Sequence, residues 1–335
     1  NKPPENWTRS AEIGGTPGGE NFPSGPPSVN PLRLNEMPPF TEAASLFWIE
    51  LTNSGPVPVD VTGVILSVEG DPSREYALPA QSLLAGSVLL VTEAQMGFRP
   101  LDAENVYLYS PTKANVLDGQ RVSGRLRGRA ETKDGAWLYP NAPTPDAANT
   151  FTFRDDVVIS EINYNPPPLS APYSKSENQW LEIANRSGQA VDLAGWEFDD
   201  GISFTFLAGT MLAAGEHACL AANATEFMAA YPTARLLGEY GGSLSRSGER
   251  LSLRAADRNP VDVVRYFDDG PRWPQFADGG GSSLELRDLD ADNNVAEAWA
   301  PSDETAQASW QTYTFRDVGS PNGGAEELWR DFAMG

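Results

Sequence analysis

The sequence predicts an all-β chain built from repeated sandwich or barrel modules, and three observations carry that prediction. Short apolar alternations recur between clusters of Gly, Pro, Asn and Asp, which is the pattern of short strands joined by tight turns. Segments with helical periodicity are almost absent. One stretch of the sequence occurs twice. On this reading the 31 Gly and 28 Pro belong to turns and linkers.

At the N-terminus, Asn1-Lys2-Pro3-Pro4-Glu5-Asn6-Trp7-Thr8-Arg9-Ser10 is similar to the segment from Asn293 to Ser302, and Gly15-Thr16-Pro17-Gly18-Gly19 to Gly319-Ser320-Pro321-Asn322-Gly323. Residues 1–21 therefore read as the closing segment of an upstream module, with Trp7 expected to be buried. The chain lacks an initial Met and is expected to be a piece of something longer. Residues 22–30, with Pro23-Ser24-Gly25-Pro26-Pro27, read as a linker. The first full module is expected over 31–150 and the second over 151–324. Residues 325–335 form a C-terminal extension or the start of a further module.

The repeat itself is explicit. Phe47-Trp48-Ile49-Glu50-Leu51-Thr52-Asn53-Ser54-Gly55 matches Gln179-Trp180-Leu181-Glu182-Ile183-Ala184-Asn185-Arg186-Ser187-Gly188. The separation of Trp48 from Trp180 equals that of Gly63 from Gly195. Leu34-Asn35-Glu36 pairs with Ile159-Ser160-Glu161 upstream, and Leu83-Leu84-Ala85-Gly86 with Leu212-Ala213-Ala214-Gly215 downstream. Trp48/Trp180 and Leu51/Ile183 are expected in the core, with Glu50/Glu182 on the opposite face. The Asn-Ser-Gly and Asn-Arg-Ser-Gly segments are expected to end the strand in a turn. Glu216 to Leu220 reads as a strand. Thr225 to Tyr231 reads as a short helix with Thr225 as N-cap and Pro232 as its stop, and Thr92 to Phe98 stands at its place in the first copy. Leu244 to Leu253 is expected to form a hairpin around Ser247-Gly248, and Asp257 to Pro260 to turn into a strand from Val261 to Tyr266.

Several of these segments together resemble the lamin tail domain family in its bacterial form. They are Val158-Ile159-Ser160-Glu161-Ile162-Asn163-Tyr164-Asn165-Pro166-Pro167, the Trp180–Asn185 segment, Val191-Asp192-Leu193-Ala194-Gly195-Trp196, and Ser283-Leu284-Glu285-Leu286. The likeness is close over 156–324 and looser over 28–149, where Val64 stands in place of Trp196 and the segment from Arg121 to Trp137 replaces an Asp/Asn cluster and its Trp. The resemblance implies tandem immunoglobulin-like β-sandwiches, without catalytic residues, in a large secreted or cell-surface bacterial protein. It implies a spacer, scaffold or adhesion role, with neighbouring modules of the same chain as partners, and other copies or cell-surface glycans as further candidates. The alternative is a carbohydrate- or Ca²⁺-binding accessory module of a secreted enzyme.

Composition narrows the chemistry. With 24 basic and 46 acidic residues the net charge is −22, which disfavours nucleic acid as a partner. One Cys and one His exclude an internal disulfide and a Cys/His zinc site. No apolar run is long enough to insert into a membrane. No cofactor is required. Ca²⁺ is the one candidate ion, at Asp288, Asp290, Asp292 and Asn294, whose alternating oxygens suit a hard cation. The spacing departs from an EF-hand, with Asn293 at the sixth position and Trp299 at the twelfth. The competing reading is a loop of Asx-turns.

Tyr266, Trp273 and Phe276, flanked by Pro271 and Pro274, form a candidate sugar-stacking platform, against the alternative of a loop packed over the sandwich end. The pairs Glu36/Glu50 and Glu161/Glu182 admit a glycosidase-like reading, but their recurrence in both copies favours a structural role, bonding a strand edge or an Arg. Asp199-Asp200-Gly201 and Asp268-Asp269-Gly270 read as turns. His217 reads as a packing or surface residue and Cys219 as a small buried hydrophobe. Arg121, Arg125, Arg127 and Arg129 form either a docking patch or a solvated loop. Asn6, Asn185 and Asn223 fit the N-glycosylation pattern.

Overall fold

The computed structural model describes residues 17–18, 31–40, 46–167, 175–268 and 272–303. The expectations for the closing segment with Trp7, the linker at 22–30, Asp269-Gly270, Pro271 and the extension at 325–335 lie outside the described residues, apart from Pro17 and Gly18. Two compact units divide between Thr152 and Phe153.

The first unit runs β1 (Leu32–Met37), β2 (Trp48–Asn53), β3 (Val59–Asp60), β4 (Ile65–Val68), β5 (Glu75–Ala77), β6 (Ser82–Leu83), β7 (Val88–Thr92), α1 (Glu93–Met96), β8 (Asn105–Tyr109), β9 (Val116–Arg121), β10 (Arg127–Ala130) and β11 (Ala136–Leu138). The second runs β12 (Val157–Asn163), β13 (Trp180–Asn185), β14 (Val191–Asp192), β15 (Glu197–Phe198), β16 (Ile202–Thr205), β17 (Met211–Leu212), β18 (His217–Ala221), α2 (Ala224–Ala230), β19 (Leu236–Glu239), β20 (Gly241–Gly242), β21 (Glu249–Arg254), β22 (Pro260–Tyr266), β23 (Leu284–Leu286) and β24 (Trp299–Pro301).

The sequence repeat is a repeat of topology. The first unit has one sheet in the order β11-β10-β1-β2-β7 and a facing sheet β5-β4-β8-β9, with the ribbon β3-β6. The second has β24-β23-β12-β13-β18-β19, β20-β16-β15-β21-β22 and β14-β17. The orders match strand for strand, with β19 and β20 as additions at two edges. Each unit closes its own core between the sheets. Leu34, Ile49 and Leu51 meet Leu66, Val106 and Leu108 in the first. Ile159, Leu181 and Ile183 meet Phe198, Leu251 and Val264 in the second. Val64 and Trp196, which differ between the copies, are both core residues. The fold is all-β and immunoglobulin-like.

The expected facing of the Trp segment needs correction. Leu181 and Ile183 point into the main core, whereas Trp180 belongs to a second, smaller cluster with Cys219, Ala221 and Phe227. Alternation therefore places Trp180 on the same outer face as Glu182. That face is buried locally because α2 covers it: Phe227 and Tyr231 set their rings 5.8 and 5.4 Å from that of Trp180. A strand covered on both sides does not show which face is the main core.

Two local assignments also change. The N-cap of α2 is Asn223, whose side chain accepts from the N–H groups of Thr225 and Glu226, so Thr225 lies inside the first turn. No hairpin centres on Ser247-Gly248. Leu244 is held through its backbone by the side chain of Gln179, and β21 pairs with β15 and β22. The Asp200-Gly201 turn forms as expected, linking β15 to β16 with Gly201 at φ +81°.

Candidate functional site

The polar residues that recur in both units are the natural place to look for chemistry, and each is engaged in holding the fold. Asn53 and Asn185, fully buried at the ends of β2 and β13, act as clasps. Asn53 Nδ2 donates to the carbonyls of Val57, Leu83 and Leu84, and its Oδ1 accepts from the Gly55 N–H. Asn185 Nδ2 donates to Gln189, Leu212 and Ala213, and its Oδ1 accepts from Ser187. The glycosylation pattern at Asn185 therefore lies on a side chain with no access to solvent. Asn223 is engaged as a cap.

A second recurring device was not found in the sequence. Asp118 on β9 accepts from the Leu34 N–H of β1 at 3.0 Å. Asp262 on β22 accepts from the Ile159 N–H of β12 at 2.7 Å. Leu34 and Ile159 each precede a bulge in the pairing of the first two strands of their unit, and lie beyond the stretch that pairs with β10 or β23 on the other side, where the buried carboxylate receives their N–H. Arg129 supplies the further partner in the first unit, pairing with Asp118 and donating to the carbonyls of Leu34 and Gly135. Asn293 supplies it in the second, through Nδ2 to Asp262 Oδ2 at 2.8 Å. Burial pushes the Asp262 carboxyl up, against the hydrogen bonds that hold it down. The sequence signal was slight, an acid directly after apolar residues in Val116-Leu117-Asp118 and before them in Asp262-Val263-Val264.

The carboxylate pairs lie in register across the bulge, Glu36 opposite Glu50 and Glu161 opposite Glu182. Glu36 accepts from the N–H and hydroxyl of Thr144, and Glu50 from Asn35 Nδ2 at 2.6 Å and the Asp146 N–H at 2.7 Å. Both are fully buried. Burial raises the carboxyl of Glu36 to about 7, with Glu50 adding a smaller push, and burial raises Glu50 as well. In the second unit Glu182 accepts from Ser160 Oγ and meets His217 Nδ1, both at 2.7 Å, and Glu161 accepts from Ser283 Oγ. Cys219 is buried, with its thiol pushed up to about 12 by that burial.

The Asp/Asn loop does not gather its oxygens. Asp288 Oδ1 accepts from the Asp290 N–H and Asp292 Oδ1 from the Asn294 N–H, two Asx-turns in series. Asp290 lies 3.6 Å from Arg186. Among the described residues no three His, Cys, Asp or Glu side chains converge as a metal-holding group. The buried member is Asn293, whose carbonyl accepts from Trp299 Nε1 at 2.9 Å.

The proposed platform is not one surface either. Tyr266 is 0% exposed, with its hydroxyl donating to the Ser245 carbonyl or Glu249 and its ring 4.9 Å from that of Tyr164. It is a core residue, because β22 turns it between the sheets. Trp273 is partly buried against the core and stacks obliquely near Trp299 and Phe267. Phe276, 67% exposed, is the one member that faces solvent.

The run of four arginines is dispersed as well. Arg129 is buried, Arg127 donates to the Trp137 carbonyl and lies over Tyr139, and Arg121 donates to the Ala103 carbonyl.

An open feature lies in the first unit, on the outer face of its larger sheet. A cleft of about 250 Å³ is lined by Pro38, Pro39, Leu46, Phe47, Trp48, Arg99 and Pro143. Leu46 is 73% exposed beside it. The Arg99 guanidinium pairs with Glu93 and holds that carboxyl below its usual range. Trp48 stands at the register position of Trp180, but α1 is one turn long and brings no rings over it.

Two cores, matching strand orders and buried polar braces define the second unit as an immunoglobulin-like β-sandwich module. Residues 152–268, within the second unit, match the family model of the lamin tail domain. Among solved structures, a DUF4876 family protein from Bacteroides thetaiotaomicron is similar to this chain at 10% identity and a TM-score of 0.32, over 74% of this chain and 92% of its own. No curated protein matches the chain.

Proposed function

We propose that this chain is a non-catalytic pair of β-sandwich modules, working as a spacer or scaffold segment of a large secreted or cell-surface bacterial protein. The observation that carries the reading is the use made of the repeated motif. Its Asn and Asp side chains brace the same strands in both units, and Glu50 and Glu182 each accept from the side chain at the bulge. Repetition of a fold together with its braces suits a spacing segment, since each module adds length as a separately stabilised unit. Adhesion enters through the exposed cleft of the first unit.

Antibodies raised against the second unit test the placement. They are expected to label intact cells that produce the protein. Labelling that appears only after permeabilisation would overturn it.

A further inference from the structure

The two units treat one sheet edge differently. In the second unit β18 is not the last strand, because β19 lies parallel to it, with Cys219 opposite Leu236. The Cys219 N–H donates to the Arg235 carbonyl at 2.8 Å, and the Tyr240 N–H donates to the Ala221 carbonyl at 3.0 Å. Ala234 and Leu236 pack on Trp180 and Cys219. In the first unit β7 ends the sheet. The register places Leu90 where Cys219 stands and Val88 where His217 stands, both opposite the same β2/β13 positions. The ladder bonds of β7 to β2 use the alternate residues, so Val88 and Leu90 turn their N–H and C=O groups outward, with no strand beside them among the described residues.

We propose that the first unit accepts an extended strand from a partner chain alongside β7, in the place and parallel direction of β19. Main-chain bonds to Val88 and Leu90 hold the strand, and one of its apolar side chains packs against Leu90 and Trp48. The second unit supplies the template for the occupant. It is a small residue followed two positions later by a Leu, then a Gly where the strand crosses a ring, as in Ala234 to Gly238. Charge sets the rest of its chemistry. The chain carries a net charge of −22, and Arg99 at the cleft is paired with Glu93, so the acceptor favours a neutral or basic segment.

The test uses the full chain and a synthetic peptide with the sequence of residues 232–240, followed by amide hydrogen exchange. In the free chain the Val88 and Leu90 amides are expected to exchange at least about tenfold faster than those of Leu89 and Val91. Saturating peptide is expected to slow Val88 and Leu90 to the rate of their neighbours. A peptide carrying Leu236→Asp is expected to leave them fast, and so is the wild-type peptide added to a folded Leu90→Lys chain. Val88 and Leu90 amides that are already slow in the free chain would overturn the open edge. Unchanged exchange with the wild-type peptide would overturn the acceptor. Protection that rises with protein concentration and needs no peptide would assign the edge to a second copy, against the proposal.

Discussion

Glu36 couples folding of the first unit to pH. Its ordinary value is 4.5, and burial carries it to about 7 in the folded chain. Between those values the folded state holds the proton that the unfolded state has released, so stability falls as pH rises from about 4.5 to about 7 and then levels off. Glu50 is raised in the same direction. The carboxyls held low in the same unit, Asp60, Asp71, Glu93 and Glu104, contribute stability that is lost only as pH falls below the ordinary carboxylate range. The first unit is therefore expected to melt higher at pH 5 than at pH 7.5, and Glu36→Gln to reduce that difference. Circular dichroism melts at the two pH values provide the check, and an unchanged slope in the variant would assign the effect elsewhere. Asp118 gives a larger effect at the same scale. Asp118→Ala leaves the guanidinium of Arg129 buried beside two carbonyls without its counter-charge. A loss of about 3–5 kcal/mol is expected in denaturant unfolding of the first unit.

At the scale of elements, the hairpins and the clasps that tie them decide how each sandwich closes. Gly201 turns β15 into β16 at φ +81°, and a methyl group there would meet the Leu251 side chain at 2.5 Å and the Arg250 carbonyl at 2.9 Å. Gly201→Ala is expected to destabilise the second unit by about 1–3 kcal/mol through strain and contact together, measurable by urea unfolding. The turn residues were readable in the sequence because Asp-Gly and Asn-Ser-Gly carry their own backbone preferences. The outward facing of Trp180 was not, because its burial depends on Phe227 and Tyr231 of a helix more than forty residues away in sequence. The roles of Asp118 and Asp262 were hidden for a similar reason. Each answers an N–H on the facing sheet, just before a bulge, and a bulge has no local signature in Leu34-Asn35-Glu36 or Ile159-Ser160-Glu161.

For the whole molecule, the duplication was the most legible feature, and it carried the fold. Matching motifs at equal separation became matching strand orders. The candidate sites were less legible, because Asp288 to Asn294 and Tyr266 to Phe276 were grouped by closeness in sequence, and the fold places Tyr266 between the sheets while folding the Asp side chains back on their own loop. No helix among the described residues is long and apolar enough to cross a membrane. The central claim is that the repeated motif residues are structural braces, one set to each module. Differential scanning calorimetry of the full chain beside Asn53→Ala and Asn185→Ala tests it most directly. Each variant removes a buried amide that serves several backbone carbonyls, and is expected to cost about 2–4 kcal/mol. Asn53→Ala should lower the transition of the first unit alone, and Asn185→Ala that of the second alone. Melting profiles that match the wild type in both variants would contradict the account.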